Sequence, residues 1–368
     1  MAKKANGSGS ISFESARNKY RAEITDPQGK RITKRFSDKA DAERWLTIIK
    51  ADIYRNTYIP PSTITIGEWI MEYLCTYCEP NVRPKTMERY IQSAKFIDPI
   101  AEAPLQKLNA YSVQKFYNEL PEMSDSSKNK IHKLLKAAIT KAYQLDMIPK
   151  NFMEAVIAPK VSKKEIQIFT KEEIRKILDA TISSQYYNKY YPLLYLAVTT
   201  GARLGEVLGL KYNCVKNGYI VINNSLQEIL LDGKHKMVDM PPKTEAGIRK
   251  ITINKTLQQL LTKKAANERI MSFDGYVFHT AHGTPYNIRN LRRMWIAVQK
   301  AADVPYRNFH CLRHTHATQL LAAGVPLLEV AKRLGHSKVS HTLNLYGHAI
   351  PGYDQMIPEK IDELLAIK

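Results

Sequence analysis

Six residues in the second half of the chain are of the types that a metal-free attack on a phosphodiester requires. Two guanidinium groups would neutralise the non-bridging oxygens of a phosphate, and a donor would protonate the leaving alkoxide. A tyrosine hydroxyl would act as the nucleophile and keep the bond energy in a covalent ester. In sequence order, these residues are Arg203, Lys243, His310, Arg313, His336 and Tyr346.

Arg203 ends the run Thr200-Gly201-Ala202-Arg203, in which Gly201 permits a tight break before the next predicted helix. An arginine at a helix start adds its planar donors to the free backbone N–H groups, which suits a phosphate. A structural pair with Glu206, one turn further on, is the simpler interpretation of Arg203.

Lys243 follows two prolines in a segment that is predicted to be the turn of a β-hairpin. A lysine at such a tip is ordinarily solvated, but it can also be a mobile proton donor that reaches into a site. Three further lysines of the same predicted hairpin region compete for that role, namely Lys234, Lys236 and Lys250.

A run of histidines places His310, Arg313 and His314 on one face of a predicted helix, with leucines on the opposite, buried side. Three histidines and a cysteine within seven residues invite a zinc interpretation. We reject it because Arg313 lies in the middle of the candidate ligand face, and no acidic or cysteine cluster completes a tetrahedron. Cys75 and Cys78 also lack a partner pair, so no metal is expected.

The run Leu334-Gly335-His336-Ser337 joins two predicted helices, and the second of them carries Tyr346. Two helices around a tight turn also form the helix-turn-helix of DNA-binding regulators. A transcription regulator without catalysis is therefore the main alternative function.

The ordered combination of motifs resembles the tyrosine recombinase family and looks most like the integrases of temperate phages and conjugative transposons. The motifs are Thr-Gly-Ala-Arg-Leu-Gly-Glu, Pro-Lys-Thr, His-Cys-Leu-Arg-His, Leu-Gly-His-Ser and Tyr-Gly-His, within residues 165–350. The resemblance implies that Tyr346 attacks the scissile phosphate to give a 3′-phosphotyrosine and a free 5′-hydroxyl. It implies that Arg203 and Arg313 hold the phosphate and that Lys243 is the general acid for the 5′-oxygen.

The resemblance also assigns supporting roles. His310 and His336 are expected to hydrogen-bond the phosphate or to assist proton transfer. Glu206 is expected to orient Arg203, and His314 is expected to position neighbouring groups through a hydrogen bond. No position of the family's active-site pattern is substituted, which argues against a catalytically dead relative.

The reaction that the resemblance implies is site-specific DNA strand exchange by two rounds of transesterification. The expected partner is double-stranded DNA with core and arm attachment sites, bound by a homotetramer that passes through a Holliday junction. Accessory directionality or DNA-bending factors are optional partners, and no cofactor is expected because the phosphotyrosine stores the bond. A type IB topoisomerase shares this chemistry, but the basic N-terminal region and the short tail after Tyr346 argue against it.

The composition agrees with a nucleic-acid partner. The 368 residues include 55 Lys and Arg against 35 Asp and Glu, for a net charge of +20 and a pI near 9.6. A protein this basic most often binds a polyanion. No apolar run reaches the roughly 20 residues of a membrane span, and no secretory signal follows the basic start. Four scattered cysteines do not form a disulfide framework, so we expect a bacterial cytoplasmic protein that is associated with the nucleoid when bound to DNA.

The elements that position these residues are predicted to form three domains of a mainly helical fold with small β-sheets. The first, residues 1–60, holds 13 basic and 7 acidic residues. Strands over 11–24 and 31–36, a turn at 26–29 and a helix over 39–54 predict a small sheet with a helix on its back. The resemblance makes this α+β unit an arm-binding domain whose exposed sheet face contacts DNA. That face is predicted to carry Arg17, Lys19, Arg21, Lys30, Arg31, Lys34 and Arg35.

A linker at 59–63 precedes the second predicted domain, residues 64–160, which matches the family's core-binding domain in character and order. Helices are predicted over 66–79, 85–96, 112–120 and 127–145. The last of these carries a series of lysines, which is typical of a solvated face. Lys130 and Lys133 are nevertheless candidate DNA contacts.

A second linker, at 158–164, leads to the catalytic domain, residues 165–368. One helix is predicted to begin at a capping box at 170–173. Further helices are predicted over 190–199, 204–210, 288–302, 311–323, 326–334 and 340–346. Strands are predicted over 219–222, 237–240 and 250–253. The tail over 358–367 is predicted as a short amphipathic helix that packs either on its own domain or on a neighbouring subunit. The three domains are expected to form a C-shaped clamp around DNA.

Overall fold

The computed structural model describes residues 9–162, 165–231, 233–242, 244–267, 272, 274–346, 361–362 and 365. Lys243 and most of the predicted tail helix over 358–367 lie outside these residues. The chain divides into two compact units, Met1–Ser162 and Lys163–Lys368. Both are mainly helical with small antiparallel sheets, which confirms the predicted fold class. In the part of the chain that is described, no helix is both long and apolar enough to cross a bilayer.

A three-stranded antiparallel sheet begins the first unit, with β1 over Ser10–Glu14, β2 over Lys19–Thr25 and β3 over Arg31–Phe36. The prediction of one strand over 11–24 is wrong, because a short 3-10 turn there ends on Asn18 with a φ of 49°. Asparagine tolerates this left-handed conformation, so the chain reverses once more than predicted. The predicted turn at 26–29 is present, and the Asp26 carboxylate accepts hydrogen bonds from the backbone N–H groups of Gln28 and Lys30.

Helix α1, Lys39–Tyr54, packs on one face of this sheet and buries Leu46. The register pairs Ala22 of β2 with Lys34 of β3, and Ala22 is fully buried under the helix. Because residues directly opposite each other share a sheet face, Lys34 lies on the helix side, where its ammonium stands over the Phe36 ring. The prediction that Lys34 joins the other basic residues on the exposed face is therefore wrong.

The other face of the sheet is a mixture of charges. Arg21 and Arg35 lie directly opposite each other, and such like charges repel unless they are compensated. Arg35 Nε donates to Glu14 Oε2 at 2.8 Å, and Arg21 forms ion pairs with Glu23 and Glu14. The hydrogen bond from Arg35 lowers the pKa of Glu14. Part of the predicted DNA-binding charge is thus already paired within the sheet, whereas Arg31 stands at the exposed start of β3.

The rest of the first unit is helical: α2 over Ile66–Tyr73, α3 over Pro84–Ala94, α4 over Asp98–Ala101, α5 over Ala110–Glu119 and α6 over Asp125–Gln144. A π-helical turn over Leu74–Cys78 extends α2. The core is centred on Trp69, whose indole N–H donates to the carbonyl of Ala138 at 2.9 Å. The sequence did not predict α4, but the four longer helices agree with it. Lys130 and Lys133 lie on the exposed side of α6.

The predicted linker at 59–63 is held in place by one glutamine. Gln106 Nε2 donates to the carbonyls of Pro60 and Met147, at 2.9 and 3.1 Å. Its Oε1 accepts from the backbone N–H of Ser62 at 3.1 Å. The segment that joins α1 to α2 is therefore fixed on the helical part of the unit.

The second unit is built on eight helices among the described residues, in the order α7 Lys171–Ser183, α8 Tyr191–Thr200, α9 Leu204–Leu208, α10 Lys255–Ala266, α11 Ile288–Ala301, α12 His310–Ala322, α13 Leu327–Leu334 and α14 Val339–Tyr346. The predicted capping box is confirmed, because Thr170 Oγ1 accepts from the N–H of Glu173 and the Glu173 carboxylate accepts from the N–H of Thr170. Helix α10 was not predicted from the sequence.

Two small sheets cover this helical core. One has the strand order β4-β5-β8, with β4 over Val215–Lys216, β5 over Tyr219–Ile222 and β8 over Arg249–Thr252. The other pairs β6, Ser225–Leu231, with β7, Lys234–Met240. The strand β6 was not predicted. Since β8 pairs with β5 and not with β7, the segment over 241–248 connects two sheets, and the prediction of a hairpin turn there is wrong.

Candidate active site

Arg203 occupies the N-cap position of α9, as predicted. The preceding helix α8 ends at Gly201, whose φ of 63° is left-handed. A Cβ at Gly201 would lie 2.7 Å from the His316 ring, so both the conformation and the space require glycine. The Glu206 carboxylate accepts hydrogen bonds from the backbone N–H and the Nη1 of Arg203, at 2.9 and 2.8 Å. These two bonds fix both the start of the helix and the guanidinium.

Glu206 is itself buried and is shared between two arginines. Arg249, from β8, donates from Nη2 to Glu206 Oε2 at 2.8 Å and from Nη1 to Oε1 at 3.3 Å. Burial by itself raises the pKa of Glu206, but the bonds and charge of Arg249, together with Arg203, lower it to about 2. Glu206 is therefore ionised at neutral pH and matches one of the cationic charges around it.

Arg313 lies on α12 and is only 2% exposed. Its Nη1 donates to the carbonyl of Gly201 at 3.0 Å, and its Nη2 donates to the carbonyl of Leu334 at 2.7 Å. The guanidinium thus ties α12 to the α8–α9 turn and to the end of α13. Burial and then the neighbouring Arg203 lower the pKa of Arg313 to about 9. The site concentrates positive charge where an anion would be stabilised.

His310 and His314 follow one another on the same face of α12 as Arg313, as predicted. Their rings meet edge to face, with centroids 4.7 Å apart. Desolvation, together with the charges of His314 and Arg313, lowers the pKa of His310 to about 4. The pKa of His314 is also lowered, by burial and by Arg313. Both imidazoles are therefore neutral at pH 7, and each has one nitrogen that can accept a proton.

Tyr346 ends α14 and is 1% exposed. Its Oη lies 2.8 Å from Nδ1 of His314. Burial raises the pKa of the phenol, while Arg313 and Arg203 oppose that rise. The structure therefore brings the predicted nucleophile into the cluster formed by α12 and the start of α9.

His336 follows Gly335, which ends α13 with a φ of 69°. A Cβ at Gly335 would lie 2.9 Å from both the carbonyl oxygen of Ala246 and Nη1 of Arg249. His336 Nδ1 lies 2.7 Å from the hydroxyl of Thr342, which is fully buried on α14. The helix pair predicted as a possible helix-turn-helix is thus the element that brings Tyr346 to the cluster, with His336 in the turn between its helices.

Two basic residues that support this cluster were not predicted from the sequence. Arg249 was overlooked, although its position two residues before the buried Ile251 in an alternating strand is a signal of burial. Arg333, on α13, donates from Nε to His316 Nε2 at 3.1 Å and from Nη2 to the carbonyl of Thr199 at 3.0 Å. His316 is one of the three histidines of the rejected zinc interpretation. Arg333 and His316 together hold the end of α8 against α12 and α13.

The predicted site residues lie in both units of the chain. Arg203, His310, Arg313 and Tyr346 converge in the second unit, together with Glu206 and His314. His336 lies in the turn just after Leu334, whose carbonyl accepts from Arg313. The candidate DNA contacts, from Arg17 to Lys133, belong to the first unit. Among the described residues, no group of three or more His, Cys, Asp or Glu is arranged to hold a metal ion.

The chain is similar to phage integrases and tyrosine recombinases. The model of the phage integrase family matches residues 167–351, which is half of the chain. The chain is 28% identical to a XerC-like tyrosine recombinase of Caldanaerobacter subterraneus, over 99% of this chain and 100% of the relative. It is 27% identical to the ICEBs1 integrase of Bacillus subtilis, over 82% of this chain and 84% of the relative.

Solved structures share the fold. The Tn1549 transposon integrase in complex with a circular intermediate DNA superposes with a TM-score of 0.70 at 21% identity and covers 82% of this chain and 99% of its own. A lambda integrase tetramer bound to a Holliday junction gives a TM-score of 0.57 at 19% identity and covers 93% of this chain and 96% of its own.

The buried His316 predicts a pH dependence of stability. Val198 O can only accept a hydrogen bond and Arg333 can only donate one, so His316 must be neutral, with its proton on Nδ1. Burial and Arg333 lower its pKa to about 4. Between about pH 6.5 and 4, the unfolded chain binds a proton that the folded ring excludes. This residue should therefore cost the second unit up to about 1.4 kcal/mol of stability for each pH unit of acidification in that window.

The variant His316→Gln should make the pH dependence shallower by that amount. The measurement is urea unfolding of the full chain between pH 7 and pH 4.5, followed by the ¹⁹F signal of 5-fluorotryptophan at Trp295, which lies in the second unit. His282→Gln, an exposed histidine of the same unit, is the matched control and should keep the wild-type slope. An unchanged slope in His316→Gln would refute the neutral, buried state of this ring.

Proposed function

The chain belongs to the phage integrase family and is a site-specific tyrosine recombinase of mobile genetic elements, and we propose that Tyr346 is the nucleophile with which it breaks and rejoins DNA. The observation that carries this assignment is the 2.8 Å contact between Tyr346 Oη and His314 Nδ1. That contact places the hydroxyl beside the helix face that bears Arg313 and His310. A phosphate bound by the two arginines would lie within reach of the same cluster.

The proposed step forms one bond and breaks one. Tyr346 Oη attacks phosphorus, and the bond between phosphorus and the 5′-oxygen breaks, so that the electron pair stays on the 5′-oxygen. The phenolic proton passes to Nδ1 of His314, which is neutral and can accept it. The 5′-oxygen receives a proton from the general acid, for which Lys243 is the candidate. The product is a 3′-phosphotyrosine, and the reverse step with a new 5′-hydroxyl rejoins the DNA.

The phosphate is proposed to bind between Arg203 and Arg313. Arg313 is anchored by one bond from each terminal nitrogen to a backbone carbonyl, and each of these nitrogens carries a second N–H. Arg203 is anchored through Glu206 and is part-exposed. Two fixed guanidinium groups supply charge and direction to the non-bridging oxygens as negative charge develops. His310 and His336 are proposed to donate to or accept from the same phosphate.

The partner is DNA, and we propose that three regions of the chain bind it. The helical region over 64–160 and the catalytic region over 165–368 would bind the core site, while the sheet over 1–60 would bind distal arm sites. The solved relatives include a lambda integrase tetramer bound to a Holliday junction, and a homotetramer on two attachment sites is proposed here by analogy. Directionality or bending factors remain candidate partners of this assembly.

The nucleophile assignment predicts the outcome of one substitution. Tyr346→Phe should abolish covalent cleavage and leave DNA binding intact, since it removes one hydroxyl. Wild-type protein is incubated with genomic DNA of the source strain, detergent-resistant adducts are captured, and their DNA is sequenced to recover the cleaved site. A nicked duplex with that sequence then serves as the substrate for both proteins. Tyr190→Phe is the control and should cleave normally, whereas an adduct in Tyr346→Phe would disprove the assignment.

The general-acid assignment predicts a rescue by leaving-group chemistry. Lys243→Ala should cripple cleavage of an ordinary phosphodiester, because the 5′-oxygen needs a proton in order to leave. A substrate with a 5′-bridging sulfur leaves without protonation, so the same variant should cleave it almost as fast as wild type. Arg203→Ala should not be rescued, since it lacks a phosphate ligand. If sulfur does not restore Lys243→Ala, then Lys234, Lys236 or Lys250 becomes the candidate.

The arm-binding proposal predicts a difference between the two faces of the N-terminal sheet. Arg31→Ala, on the open face, should weaken protection of DNA outside the cleaved core and lower the salt slope of arm binding by about 1, as for the loss of one phosphate contact. Lys34→Ala is the matched control, because Lys34 lies on the helix side of the same strand. Footprinting of both variants on DNA that flanks the recovered site makes the comparison. Equal footprints for Arg31→Ala and wild type would contradict a DNA-binding open face.

A further inference from the structure

One buried arginine outside the motifs contacts three separate parts of the catalytic unit. Arg249 is 9% exposed. It binds the Glu206 carboxylate with Nη1 and Nη2, the carbonyl of Gly247 with Nη1 at 3.1 Å, and the carbonyl of Arg333 with Nε at 2.7 Å. A buried guanidinium requires partners of this kind. The partners of Arg249 lie on three different segments, all of which bear site residues or adjoin them.

The first connection runs to Arg203. Each oxygen of Glu206 accepts one hydrogen bond from Arg203 and one from Arg249. The carboxylate therefore lies between two guanidinium groups and cannot turn without breaking bonds to both. Arg249 thus restricts the only acidic group that the structure places against Arg203 among the described residues.

The second connection runs to the turn that bears His336. The carbonyl that accepts from Arg249 Nε belongs to Arg333, two residues before Gly335. The left-handed Gly335 also lies directly against the guanidinium, since an added Cβ would be 2.9 Å from Nη1. The planar fork of arginine can hold the carboxylate and this carbonyl in one plane, which a lysine ammonium cannot do.

From these contacts we propose that Arg249 is a positioning residue that sets Arg203 and the His336 turn at a fixed separation, so that both can meet one scissile phosphate. The inference rests on the proposed function. Arg249 does not touch the substrate in this account and acts through Glu206 and through the backbone of the α13 end. Its loss should therefore impair neutralisation of the phosphate charge, beyond any effect on folding.

The test uses a substrate in which that charge is removed. The cleavage site recovered by covalent capture is synthesised with a methylphosphonate at the scissile position, where a methyl group replaces one charged oxygen. Full-length wild type, Arg249→Gln and Arg203→Ala are compared in single-turnover cleavage with enzyme in excess. On the ordinary phosphodiester, Arg249→Gln should be slower by about 10²-fold, as for the loss of one oxyanion donor. On the methylphosphonate, its deficit should shrink to less than about tenfold, as should that of Arg203→Ala.

Arg307→Gln is the matched control, because Arg307 forms a half-buried pair with Glu173 at 2.9 Å in the same unit and does not touch Glu206. Any deficit that it has should be the same on both substrates. An equal deficit of Arg249→Gln on both substrates would overturn the inference and leave Arg249 a structural residue.

If Arg249→Gln does not fold, Arg249→Lys carries the same comparison, because an ammonium can keep one bond to Glu206 without holding the Arg333 carbonyl. Thermal unfolding of each variant verifies that it is folded at the assay temperature. Failure of the wild type itself to form an adduct would count against the proposed function, whereas normal cleavage by wild type and a substrate-independent deficit in the variant would count against Arg249 alone.

Discussion

The burial of the Arg313 guanidinium is the constraint on which the rest of the catalytic unit depends. A cation removed from water must be satisfied by the protein, and here two backbone carbonyls do so, from Gly201 and Leu334. Those carbonyls are exposed to it only because α8 and α13 both end in left-handed glycines. The helix ends, and with them Arg203 and His336, are thereby brought to one side of α12.

The charge balance of the cluster explains why it suits an anion. The charge of Arg313 interacts with those of Arg203 and Arg249, and the pKa of Arg313 is lowered to about 9, mainly by burial and by Arg203. The Glu206 carboxylate, whose pKa is lowered to about 2, balances part of this positive charge. It accepts hydrogen bonds from two of the three arginines. A phosphate bound as proposed would relieve the remaining repulsion and would thereby stabilise the folded catalytic unit.

Local patterns in the sequence predicted the elements whose signals are local. The helix over 39–54, the strand over 219–222 and the helix that carries Arg313 follow from local apolar patterns, and the structure agrees with them. One missed feature depends on non-local pairing, since β8 pairs with β5 and not with β7, and no turn signal at 241–245 predicts this. The face of Lys34 is instead a local matter, because successive residues of a strand point to opposite faces and Lys34 cannot share a face with Arg35. Arg249 was not predicted to be a buried residue, because a lone arginine in a strand is ordinarily exposed.

The contact between Tyr346 and His314 links burial to reactivity. Burial raises the pKa of the phenol, which makes the hydroxyl a poorer source of nucleophilic oxyanion, and it lowers the pKa of the imidazole, which keeps His314 unprotonated and able to accept. The same burial therefore keeps His314 free to accept the proton but makes it a weak base. Proton transfer across 2.8 Å becomes favourable only if the phenolate is stabilised at the same moment, and the positive field of Arg203 and Arg313 is the stabilisation that the site provides. In the proposed mechanism, cleavage would therefore depend on the arrangement of the arginines, which is set by the buried carboxylate and carbonyls that hold them.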